Sequence, residues 1–230
     1  MAIRRYLAMT QWEFTKQLIQ PWQPGWMACH FSPYGNGLCN LPEHLPEGSL
    51  LILNDRIPPM NNNPDRIFAT LDRLITTHTC SALLLDFQHP KCTLTATIAK
   101  RLQALPCPVA VSEAYAEPLS CPVFLPPVPL LIPIREYLAP WGGREIWLEA
   151  ALSCAKVFVD TKGSRMNQIP PSGEALPFRD DTLFCHYKTT LRDNAAAFLL
   201  QRTRQDLDDL LQQAAQLGVT TAVGLWQELN

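Results

Sequence analysis

Residues 50–90 read LLILNDRIPPMNNNPDRIFATLDRLITTHTCSALLLDFQHP, and the fold is decided by the rhythm of this stretch. Leu50-Leu51-Ile52-Leu53 is a short apolar run that ends in Asn54-Asp55-Arg56. Asn63 followed by Pro64 opens a helix whose apolar positions, Ile67, Leu71, Leu74 and Ile75, share one face. Ala82-Leu83-Leu84-Leu85 is a second run, closed by Asp86-Phe87-Gln88-His89-Pro90. Strands apolar at every position are covered on both faces, and alternation with amphipathic helices makes them parallel.

The same grammar extends in both directions. Downstream, a helix carries Leu94, Ile98, Leu102 and Leu105, and Pro108-Val109-Ala110-Val111 ends in Ser112-Glu113-Ala114-Tyr115. Upstream, Trp26 to Ser32 reads as a buried strand that surfaces at Pro33 and Gly35, and Thr10-x-x-Glu13 has the form of a capping box for a helix to about Ile19. After Cys121 the helices thin out. Val123-Phe124-Leu125, Glu145 to Glu149, Lys156 to Asp160 and Leu183 to Lys188 are strands, with a polar loop from Ser172 to Asp181. A long helix is predicted from Asn194 to Leu217, stopped by Gly218, and a last short one from Thr220 to Leu229.

Eight strands in 230 residues predict an α/β fold, a compact, irregular (β/α)8 TIM-like barrel over residues 1–230 with helices missing from its second half. The alternative is an open α/β sheet, but no G-x-G-x-x-G follows the first strand and no P-loop is present.

Composition narrows the function classes. A net charge of −2 with no basic stripe argues against a nucleic-acid partner. The longest apolar stretch, Pro122 to Ile134, is interrupted by Pro126, Pro127, Pro129 and Pro133, so no membrane span is expected. Gln11 and Glu13 interrupt the N-terminus before a signal-peptide core develops. No C-x2-C pair occurs among the eight cysteines, which are expected to be free thiols in a reducing cytoplasm.

Side chains two apart in a strand share a face, and polar pairs with that spacing recur at strand C-terminal ends. They are His30 and Ser32, Asp86 and Gln88, Glu113 and Tyr115, and His186 and Lys188, with Glu149 two residues after Trp147. In a barrel these ends form the mouth where ligands bind. Carboxylates, imidazoles, an ammonium and aromatic walls suit a small polar or oligosaccharide ligand. Each residue also has a plainer reading: Asp55 as a surface ion-pair partner, His30 and Trp147 as core, Lys188 as a side chain snorkelling to water. Repetition over several strands favours the site. It also predicts that His30, Asp86, Glu113 and His186 lie at one end, with His30 and His186 close if the barrel closes. His30, Asp86, Glu113, Glu149 and His186 could offer metal ligands, but no H-x-H or H-E-x-x-H spacing supports this, so neither metal nor cofactor is expected. No G-x-S-x-G elbow signals a serine nucleophile.

Ser81 to Gln88 resembles the D-G-x-D-x-D-x-E strand motif of family 18 glycoside hydrolases, the chitinase-like barrels. Asp86 matches the last aspartate and Phe87 the aromatic, whereas Gln88 replaces the acid, Ser81 and Leu84 the first two aspartates, and Ala82 the glycine. The resemblance covers one strand. It implies a barrel in which the family's glutamate protonates the leaving oxygen while the substrate's N-acetyl group attacks and the aspartate orients that group (a substrate-assisted route). An amide is no such acid. The expected function is a glycosidase-like protein that binds a carbohydrate at the mouth, with or without turnover, through Asp86, Gln88, His30, Ser32, Tyr115, Trp147, His186 and Lys188. One alternative is a hydrolase using Glu113 and Glu149 as its carboxylate pair. The other is a non-enzymatic protein that binds a different small ligand or docks a partner on its proline-rich segment.

Overall fold

A computed structural model describes residues 2–16, 20–35, 37–90, 92–117, 119–171 and 173–230. In chain order the first half carries β1 (Arg4–Met9), β2 (Gln23–Phe31), β3 (Leu38–Cys39), β4 (Leu50–Asn54), α1 (Pro64–His78), β5 (Ala82–Asp86), α2 (Thr93–Leu102) and β6 (Val109–Ser112). Then follow β7 (Val123–Leu125), the short α3 (Ile134–Leu138) and β8 (Ile146–Ala150). Eight parallel strands close into a barrel. Around the wall they run β1, the last strand β14 (Val219–Leu225), β8, β7, β6, β5, β4 and β2, and β2 pairs back onto β1. β3 adds to β2 in the antiparallel sense.

Both faces of each strand are buried because the wall separates two apolar layers. Tyr6, Leu50, Ile52, Leu84, Phe124, Trp147 and Val223 fill the interior. Leu51, Leu53, Leu83 and Leu85 point outward against Ile67, Leu71 and Ile98 of α1 and α2. The Asn63 side chain accepts from Asp65 N at 2.9 Å and caps α1, as the Asn-Pro pair predicts.

Two of the eight barrel strands differ from the sequence expectation. Lys156–Asp160 and Leu183–Lys188 are strands, but they belong to a second sheet. The five members are β9 (Cys154–Asp160), β10 (Gly163–Gln168), β11 (Phe178–Asp180), β12 (Cys185–Arg192) and β13 (Ala195–Gln201), ordered β10-β9-β13-β12-β11 with antiparallel neighbours. The chain makes this excursion after β8 and returns through α4 (Arg204–Gln216) to β14. Their places in the barrel go to β1 and β14. The Asn194–Leu217 helix is in fact β13 followed by α4. Asn194, at φ 60°, turns a two-residue hairpin, and pairing on both sides overrides the helical preference of Ala195-Ala196-Ala197. Residues 220–225, read as helix, extend as β14 because Val219-Thr220-Thr221 is β-branched. Only the last turn, α5 (Trp226–Leu229), is helical, and it folds so closely onto Gly224 that a Cβ there would lie 2.2 Å from Leu229 Cδ1.

Two smaller expectations are also adjusted. Glu13 does reach back to Thr10 N at 2.7 Å, but the segment forms turns, and its predicted end at Ile19 lies outside the described residues. The polar loop contains β11, and Ser172 lies outside the described residues.

Arg202 ties the second sheet to the barrel. It is 1% exposed, and its guanidinium donates to the carbonyls of Val128 at 3.0 Å and of Leu183 and Phe184 at 3.2 Å. Leu130, from the proline-rich connection after β7, packs with Ala155, Val157, Cys185 and Leu200. Val128 and Leu130 are thus core, whereas Leu131 and Ile132 are exposed. No helix among the described residues is long and apolar enough to cross a membrane.

Candidate functional site

Parallel strands bring all eight C-terminal ends to one side, where a cavity of about 1020 Å³ opens. Its floor is the top of the interior layer, formed by Ala8, Ile52, Leu84, Phe124 and Val223. Its polar rim follows two residues later on the same strands, by the alternation of the pleat. Thr10 follows Ala8, Asn54 follows Ile52 and Asp86 follows Leu84, whereas Leu225, two after Val223, keeps the rim apolar at β14. His30, Asn40, Gln88 and Glu149 complete the rim.

The β5 end is the most constrained. Asp86 points into the cavity, Phe87 turns away between Phe31 and Tyr115 (ring centroids 5.8 and 5.5 Å), and Gln88 points in again. The Gln88 side-chain amide donates to Asp86 Oδ1. Asp55, expected at the surface, is 1% exposed, and its carboxylate accepts from Gln88 N at 2.8 Å and His89 N at 3.1 Å. It holds the turn that presents Gln88. Asn54 donates to the carbonyls of Met27 (3.2 Å) and Cys29 (3.0 Å), where the β2–β4 register slips. His30 Nδ1 lies 2.8 Å from the Phe31 carbonyl and so carries the proton, leaving Nε2 to accept from Asn40 Nδ2 at 3.2 Å.

Two carboxyls in the cavity are perturbed. Burial, then the negative charges of Asp86 and Glu228, push Glu149 up to about 7. Burial also raises Asp86, against the Gln88 hydrogen bond that favours its carboxylate, with Asp55 adding a smaller upward push. Glu149 therefore keeps its proton to higher pH than an ordinary carboxyl, and the charge of Asp86 contributes to that.

Six residues expected at the mouth are elsewhere. Glu113 is exposed at the start of a 3-10 turn, Glu113–Tyr115, and does not line the cavity. Its charge and that of Glu149, after burial, raise the pKa of Tyr137, whose hydroxyl donates to the Pro126 carbonyl at 2.9 Å. Tyr115 is core, its hydroxyl donating to the carbonyls of His89 and Pro90 at 3.2 Å. Trp147 is wholly buried in the interior layer, its indole N–H on Glu145 at 3.2 Å. Ser32 accepts from Tyr34 N in the turn after β2. His186 and Lys188 stand on β12, paired with Asp206 (2.8 Å) and Glu174 (2.7 Å). The expected approach of His30 to the last barrel strand through His186 fails for that reason, although His30, Asp86 and Glu113 do lie at one end of parallel strands.

Among the described residues no cluster of three or more His, Cys, Asp or Glu could hold a metal ion. All eight cysteines carry free thiols, with burial pushing Cys29 up to about 12.

No protein-family model matches the chain, and no curated protein matches it in sequence. Among solved structures it is similar to the spore cortex-lytic enzyme SleL of Bacillus megaterium QM B1551, with a TM-score of 0.58 and 11% identity over 97% of this chain and 70% of that one. SleL of Bacillus cereus gives 0.56 and 8% over 96% and 70%. The ydhD protein of Bacillus subtilis gives 0.52 and 10% over 86% and 88%. The chain thus has the barrel fold of these proteins, and the stretch that resembles the family 18 strand motif, Ser81 to Gln88, contains β5, the fourth barrel strand in chain order.

Proposed function

We propose that the barrel mouth binds an N-acetylated oligosaccharide and that position 88 supplies hydrogen bonds but no proton. The observation that carries this reading is the Asp86–Gln88 pair. Both side chains point into one cavity, bonded to each other, and Asp55 fixes the backbone beneath them. A carboxylate and an amide side by side suit an acetamido group or ring hydroxyls, and the apolar floor suits the face of a sugar ring. The neighbouring structures are consistent with this reading: SleL is described as cortex-lytic. The eight free thiols support a cytoplasmic site of action, and the Arg202 and Leu130 contacts support one barrel-centred unit over residues 1–230.

The test is calorimetric titration with the N-acetylglucosamine tetramer. Native protein is expected to bind, and Asp86→Ala to weaken binding by about 10- to 100-fold, the worth of a hydrogen bond to a charged group. Failure of the native protein to bind, or equal binding by Asp86→Ala, overturns the proposal.

A further inference from the structure

A mouth that holds sugar but lacks the acid at position 88 raises the question of whether another group there can deliver a proton. The carboxyls reaching the cavity are Asp55, Asp86 and Glu149. Asp55 is occupied by two backbone N–H groups. Asp86 accepts from Gln88. The Glu149 side chain makes no hydrogen bond to a described residue and faces the cavity from β8. Glu113, the other substitute the sequence offers, does not line the cavity. We propose that Glu149 is the proton donor of a glycoside hydrolysis at this mouth, with Asp86 as the base that activates water. This rests on the carbohydrate reading above.

The geometry supports division of labour. β8 and β5 are three strand steps apart around the eight-stranded wall, roughly 14 Å of arc at the usual spacing, so the two carboxyls enter the cavity from different sides, with Asp86 near enough for its charge to act on Glu149. Entry from separate strands is what a single displacement requires, since an inverting pair must leave room for sugar and water at a separation of about 6.5–9.5 Å. The protonation states follow from the surroundings. Around Glu149 the charged and titratable groups are Asp86 and His89 from the β5 end, Asp55 and Arg56 from the β4 end, His30 from β2, Tyr137 from α3 and Glu228 from α5. Burial and the neighbouring carboxylates favour the protonated form of Glu149, while the Gln88 amide favours the carboxylate of Asp86 against the upward push of burial.

In the reaction, the Glu149 proton passes to the glycosidic oxygen as the bond from that oxygen to C1 breaks, and the leaving sugar departs with a hydroxyl. Water forms the new bond to C1 and gives its proton to Asp86. Solvent then returns that proton to Glu149, so one water is consumed for each bond cleaved.

The experiment follows release of shorter oligomers from the N-acetylglucosamine tetramer, with binding measured in parallel. Native protein is expected to hydrolyse it with inversion at C1. Glu149→Gln is expected to bind the tetramer, which also shows that it is folded, yet to lose about 10²- to 10⁴-fold in turnover. The loss should be much smaller on a nitrophenyl glycoside, whose leaving group needs no proton. Binding without turnover by the native protein overturns this inference and leaves the carbohydrate reading standing. Turnover that survives Glu149→Gln overturns Glu149, and a retained anomer overturns Asp86 as the base. Absence of both binding and turnover overturns both proposals.

Discussion

Asp206→Ala is expected to destabilise the protein by about 2–4 kcal/mol, from the loss of a helix cap and of charged hydrogen bonds to a fully buried carboxylate whose cationic partners are part-exposed. The carboxylate is fully buried, yet it accepts from Arg179 Nε at 2.9 Å, His186 Nδ1 at 2.8 Å, and Thr203 N and Oγ1 at 2.9 and 2.7 Å. It therefore completes the capping box of α4 and joins that helix to β11 and β12 in one network. Burial raises its pKa, but the bonds from Thr203, His186 and Arg179 outweigh burial and hold it below the ordinary carboxylate range. With a folded pKa below the unfolded one, its contribution is complete above the unfolded value of about 3.9 and fades as pH falls through the folded value. Urea unfolding of native and Asp206→Ala protein should thus differ strongly at pH 7 and converge in strong acid. A neutral-pH difference under 1 kcal/mol would remove the network from the account.

Trp147→Ala is expected to cost a similar amount, about 3–5 kcal/mol, through a cavity in the barrel interior. The side chain is completely buried between strands, next to Phe124 on β7, to which Trp147 is paired in register. Its predicted signature separates a core role from a sugar platform. Thermal unfolding should fall by roughly 6–20 °C for a chain of this size, while tetramer affinity at low temperature stays within about threefold. Loss of affinity with unchanged stability would instead place the indole in the mouth.

Six barrel strands were legible because an uninterrupted apolar run has one reading when a helix follows it, as in Leu50–Leu53 and Ala82–Leu85. β1 was hidden by Arg4 and Arg5 at its start, where the barrel bottom meets solvent and charges are tolerated. β13 was hidden by its alanines, since an Ala-rich segment pairs as a strand only when β9 and β12 flank it. That contact joins residues far apart in the chain, and no local pattern reports it.

The site followed the same logic. The two-residue alternation located Asp86, Gln88, His30 and Glu149, and it would have located Thr10 had β1 been recognised. Asn54 stands two residues after Ile52 and was open to the same rule, but its neighbours Asp55 and Arg56 drew a surface reading. Alternation cannot distinguish the mouth layer from the layer below, which is why Trp147, one step deeper than Glu149, was placed too high. Nor can it say which sheet a strand joins, and His186 and Lys188 were misplaced on that account. The burial of Asp55 depends on the turn after β5, 33 residues away.

The most direct test of a carbohydrate site at the barrel mouth is an amide NMR titration of the whole chain with the N-acetylglucosamine tetramer. The account predicts saturable shifts concentrated at the C-terminal ends of β2, β4, β5 and β8, including His30, Asn54, Asp86, Gln88 and Glu149, with β10 to β12 unmoved. Shifts centred on His186 and Lys188, or no saturable shift at millimolar ligand, would contradict it.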